Sequence, residues 1–162
     1  MNARLKTTLK AWPAIAAATI GLCFLTKLVA GWFGIDLPDQ QNVGVARQLL
    51  LHAFDSGRHF FSAAFFLAQV VVLLPAIEEL IFRLPTRWLR HPAWWVVISA
   101  LFSAVHYIAQ PWPDAAFIAL FFFGLAQCWL YKKTKRLWCA MLNHALFNLT
   151  NLVLLFILPE AG

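Results

Sequence analysis

Apolar residues along this chain come in long runs separated by short polar or basic connections. The first runs from Ala11 to Ile35, interrupted by Lys27, behind a basic N-terminus of Arg4, Lys6 and Lys10. The second, Phe60–Ile77, carries no charge and leads straight into Glu78-Glu79. The third, Ala93–Gln110, opens on Trp94-Trp95 and is broken by Pro111-Trp112-Pro113. The fourth, Ala115–Tyr131, is closed by Lys132, Lys133, Lys135 and Arg136, and the fifth, Leu137–Leu158, is stopped by Pro159. A hydrocarbon layer about 30 Å thick needs roughly 20 helical residues to cross it. The runs therefore predict an all-α, polytopic transmembrane helix bundle of about five spanning helices, one membrane domain over residues 1–162. The polar segment 36–59 separates the first two runs, and within it Val43–Phe60 patterns as an interfacial amphipathic helix. The first run is long and ends without a small-residue cleavage site, which reads as a retained helix rather than a signal peptide.

Composition sharpens this. Hydrophobic residues make up 62% of the chain and charged residues 12%, so a soluble domain would lack the polar surface to cover its core, and disorder is excluded more firmly. The formal charge of +6 would suggest nucleic acid in a soluble protein. Here the basic residues cluster between apolar runs, where they orient helices. Ten of them fall at the N-terminus, in 83–91 and in 132–136, against two, Arg47 and Arg58, on the other side. That count predicts a cytoplasmic N-terminus and an external C-terminus, in the inner membrane of a bacterium given the chain's size. Tryptophans sit near run ends, as an aromatic belt requires. Lys27 can snorkel to the interface. Cys23, Cys128 and Cys139 lie inside apolar runs without zinc-finger spacing and read as small apolar fillers.

The informative residues are polar groups inside apolar runs, where a charge costs roughly 2.5–3.5 kcal/mol on insertion scales unless paired or hydrated. They are Glu78, Glu79, Arg83, His106, Asn143, His144, Asn148 and Asn151. Glu79 and Arg83 are four apart, share a helix face and can pair. Glu78 is rotated about 100° from Glu79 and faces elsewhere. His144 and Asn148 are also four apart. An acid, two imidazoles and an amide can thus converge from three helices. That set suits hydrolysis: a carboxylate takes a proton from water, and an imidazole or amide donates to the oxyanion. The bland reading makes Glu79–Arg83 a structural ion pair and the His and Asn residues interhelical glue; Asn143 and Asn151 are assigned to that role.

Glu78-Glu79-Leu-Ile-Phe-Arg83 resembles the E-E-x-x-x-R motif of the CPBP intramembrane proteases, which include the type II CAAX prenyl endopeptidases and the Abi and bacteriocin-immunity proteins. Phe102-Ser-Ala-Val-His106 is similar to their F-x-x-x-H motif, and His144-Ala-Leu-Phe-Asn148 to their H-x-x-x-N motif. The resemblance spans residues 75–150, the catalytic core. It implies a membrane-embedded endopeptidase in which Glu78 activates water with His106, while His144 and Asn148 stabilise the oxyanion and Glu79 and Arg83 support them. Family members are described both as metalloproteases and as glutamate proteases; if a zinc ion is used, Glu78, His106 and His144 would hold it. Two departures stand out. Leu84, followed by Pro85, replaces the glycine common after the motif arginine, and the chain is short for the family.

For Glu78 and His106 to reach the same depth, the second helix must continue past Arg83 to about Arg90, with Arg83 then facing a hydrated cavity. The implied partners are the bilayer and a membrane-associated protein or peptide substrate, with no nucleic acid. The alternative function is a non-enzymatic membrane scaffold or bacteriocin-immunity protein that uses the same polar cluster structurally. A proton-coupled transporter would want a repeat, and none is seen.

Overall fold

The computed structural model describes residues 2–35, 37, 48, 50–51, 60–89, 91–108 and 116–157. The stretch expected to form an interfacial helix lies almost wholly outside these residues. Five helical rods make up the rest, with no strand among the described residues. Helix α1 spans Ala3–Trp32. It begins earlier than its apolar run because the Asn2 side chain caps it, accepting from Arg4 N at 3.0 Å, so the basic N-terminal residues are helical. It ends because Gly34 takes a left-handed conformation, with φ 70°. Ile35 N then bonds to Ala30 O and Gly34 N to Gly31 O, the paired bonds of a Schellman cap.

The second rod has four parts in series: α2 (Phe60–Ala68), a π turn (Gln69–Leu73), α3 (Leu74–Arg83) and a 3-10 turn (Leu84–Arg87). It therefore passes Arg83, as the depth argument required, and Leu84 and Pro85 tighten the helix rather than end it. The remaining rods are α4 (Ala93–Ile108), α5 (Ala116–Thr134) and α6 (Leu137–Ile157). Three of the five rods, Ala3–Trp32, Phe61–Arg87 and Leu137–Ile157, are long and apolar enough to cross a membrane on their own. Helix α4 has 16 residues, about 24 Å of rise, and α5 closes on Lys132 and Lys133.

Helix α5 sits at the centre, against α4, α1 and α6. Its sequence explains why. Ala116, Ala119, Phe123, Gln127, Leu130 and Thr134 form one buried stripe at helical spacing, and Gly124 and Cys128 a second. Water is not expelled between helices in lipid, so association rests on close packing and interhelical hydrogen bonds. Gly124 supplies the first: a Cβ there would lie 3.0 Å from Ser99 Cβ and 3.1 Å from Ser99 Cα on α4. Ser103 Oγ supplies the second, donating to Phe117 O at 2.8 Å. Cys128 and Cys139 are both buried, but Cys128 is more than an apolar filler, since its thiol meets the Ser99 and Arg83 side chains. Two residues, Lys135 and Arg136, connect α5 to α6, with Lys135 in the left-handed region at φ 53°.

Helix α1 docks on α5 and α6. Trp12 Nε1 donates to Thr150 Oγ1 at 3.2 Å. Further along α1, Ala16 and Ile20 join the core of Phe102, Phe123 and Phe147.

Candidate active site

Helix α3 carries both acids. Glu79 and Arg83 sit one turn apart and form an ion pair, Arg83 Nε to Glu79 Oε2 at 3.1 Å, with both side chains fully buried. The expected hydrated cavity around Arg83 is absent: the guanidinium is sealed, with its Cζ 4.9 Å from the centroid of the Phe102 ring. A carboxylate on one side and an aromatic face on the other enclose it.

Glu78 faces the other way, as the helical rotation predicts. Its side chain keeps 25% exposure, and its Oε2 points inward toward two imidazoles. His144 Nε2 lies 3.6 Å away and His106 Nε2 4.0 Å away. Each imidazole is oriented through its other nitrogen. His106 Nδ1 lies 2.8 Å from the Phe102 carbonyl, one turn back on α4. A carbonyl can only accept, so this nitrogen carries a hydrogen and Nε2 is turned to Glu78. His144 Nδ1 lies 2.9 Å from Glu79 Oε1. The ion pair read from the sequence is therefore the base of a longer chain, Arg83–Glu79–His144–Glu78, and Glu79 touches the site directly.

Phe102 fills the space between these groups. Its ring centroid is 4.7 Å from that of His106 and 6.0 Å from that of His144, and Phe123 closes on His144 at 5.0 Å. His144 is nearly sealed while His106 keeps 33% exposure. The cluster thus has a dry rear, formed by Glu79, Arg83 and His144, and an open front at Glu78 and His106.

Asn148 lies one turn beyond His144 on α6. Its Nδ2 donates to the Val70 carbonyl in the π turn at 2.8 Å. Asn143 is interhelical glue, as assigned: its Oδ1 accepts from Gln127 Nε2 at 2.9 Å, both side chains buried. Gln127 escaped sequence reasoning, although an amide in the middle of the fourth apolar run was the available signal. Asn151 is exposed rather than bonded to a neighbouring helix. Among the described residues, no group of three His, Cys, Asp or Glu side chains is arranged to hold a metal ion.

Compared with known proteins, residues 60–150 match the family model Rce1-like, described as Type II CAAX prenyl endopeptidase Rce1-like. The match covers more than half of the chain, which belongs to that family. No curated protein and no solved structure matches.

Proposed function

We propose that this member of the Rce1-like family is an intramembrane endopeptidase that hydrolyses a peptide bond of a membrane-associated protein or peptide, using water activated by Glu78. The observation that carries the reading is the approach of two imidazole nitrogens, from α4 and α6, to the one inward carboxylate oxygen at 3.6 and 4.0 Å. Those gaps exceed a direct hydrogen bond and suit a small bridging species such as the water to be activated.

The proposed chemistry follows from the tautomers. Glu78 takes one proton from water, with His106 Nε2 accepting from its other O–H. The oxygen attacks the scissile carbonyl carbon, and the carbonyl electron pair moves onto its oxygen. Asn148, through its second amide N–H, and His144, through Nε2 when that nitrogen carries a proton, donate to the oxyanion. Collapse breaks the C–N bond, and the proton held by Glu78 passes to the leaving amine. Glu79 acts through His144: with Nδ1–H held by a buried carboxylate, any proton His144 offers must come from Nε2. Arg83 holds that carboxylate in place, Nε to Oε2 at 3.1 Å. The step as written uses no metal. The set Glu78, His106 and His144 named by the resemblance for a zinc ion is not arranged to hold one.

The bilayer is the setting, and a bacterial cytoplasmic membrane the proposed location. The basic 132–136 connection would face the cytoplasm.

The test is cleavage of a quenched-fluorescence, farnesylated CAAX peptide, and of its unprenylated form, by the purified chain in lipid nanodiscs. Wild type should cleave at least one and Glu78→Gln neither. Cleavage by Glu78→Gln at the wild-type rate would sink the glutamate mechanism. Silence of wild type on both peptides would favour the scaffold or immunity reading. Loss of activity on chelation, restored by Zn²⁺, would move the three side chains into a ligand set.

A further inference from the structure

The rod that carries Glu78 changes its hydrogen-bond register just before the acid. At the end of the π turn, Leu74 N–H bonds to the Gln69 carbonyl, five residues back. The next donor in that register would be residue 75, reaching the Val70 carbonyl. Residue 75 is proline, which has no N–H. The Val70 carbonyl is met instead from α6, by Asn148 Nδ2 at 2.8 Å. A side-chain amide from another helix takes the place of the missing backbone donor.

We propose that Pro75 is a positioning residue for Asn148: by withholding a backbone N–H, it presents the Val70 carbonyl as the acceptor that orients the Asn148 carboxamide. The inference rests on the reading of Asn148 as an oxyanion donor. The Val70 oxygen can only accept, so the nitrogen rather than the oxygen of the Asn148 amide must face it. One N–H is thereby anchored, and the direction of the second is set before substrate arrives. Donors aimed in advance are what oxyanion stabilisation requires. Turns of the π type recur at functional sites, and here the register shift exposes the carbonyl that holds the amide. Pro75 itself is buried, between the turn and Glu78 in sequence.

The test restores the N–H. In Pro75→Ala the backbone at 75 can bond within its own helix and compete with Asn148. In nanodiscs, kcat on the quenched farnesylated CAAX peptide should fall about 100-fold, as a misplaced reacting group costs, while KM stays within about twofold. The Tm should hold or rise, because a helical hydrogen bond is gained. Pro75→Ala combined with Asn148→Ala should lose no more than Asn148→Ala alone, since both act through one amide. The side-chain amide signals of Asn148, followed by NMR, should shift in Pro75→Ala, and in Pro75→Ser as a second small variant with an N–H. Wild-type kcat in a folded Pro75→Ala, additive losses, or an unmoved amide signal would each overturn the proposal. If wild type cleaves neither the farnesylated nor the unprenylated peptide, the peptidase reading falls by itself, and the amide signals alone decide for or against Pro75.

Discussion

At position 79 the carboxylate has two fixed neighbours, Arg83 Nε at 3.1 Å and His144 Nδ1 at 2.9 Å, and no contact with solvent. Position 78, one residue earlier, is partly open. Removing one member of a buried ion pair leaves the other charge unmatched, which costs roughly 3–5 kcal/mol. Glu79→Gln and Arg83→Gln should each destabilise the protein by about that much, read as a lowered Tm in detergent. Wild-type stability with total loss of cleavage would instead place Glu79 among the groups that touch substrate. Asn148→Ala should leave the fold intact and lower kcat about 10²–10³-fold, the usual loss for a single oxyanion donor. A rate within threefold of wild type would remove Asn148 from the proposed chemistry.

Among elements, the contact between α4 and α5 sets where His106 stands. Ser99 and His106 are both on α4, and Ser99 lies against Gly124 so closely that a methyl group would meet its Cα at 3.1 Å. Backbone cannot swing aside as a side chain can. Gly124→Ala must part the helices, at a cost of roughly 1–3 kcal/mol for overpacking, and carry His106 away from Glu78. A lowered Tm together with slower cleavage is the expected outcome. A variant with unchanged Tm would mean that the interface yields without strain. The glycine was visible in the fourth apolar run, but nothing in the run distinguished it from Gly21, whose surroundings are open. Only the neighbour across the interface gives Gly124 its meaning.

For the whole molecule, α6 leads away from the basic 132–136 connection. Reporters fused after Lys135 and after Gly162 should therefore face opposite sides of the membrane in an accessibility assay on intact cells and inverted vesicles. The same side for both would show that α6 does not cross the bilayer. The end with Lys132, Lys133, Lys135 and Arg136 is the expected cytoplasmic face.

Much of this was readable from one dimension. Apolar run lengths determine a membrane bundle, because lipid satisfies no backbone polar group and leaves helices as the spanning form here. Four-residue spacing determines that Glu79 pairs with Arg83, because an α-helix returns to the same face after about 3.6 residues. The cost of polar groups in lipid marks eight residues; among them Glu78, His106 and His144 meet within 4.0 Å. Contacts between helices belong to the tertiary structure alone. It decided that His144 bridges the two acids, that Arg83 is shielded by Phe102 rather than by water, and that Asn148 reaches the Val70 carbonyl. The reason is common to all three. Periodicity gives the face on which a side chain stands, but the atom it meets depends on the depth and register of a neighbouring helix, which no single helix encodes.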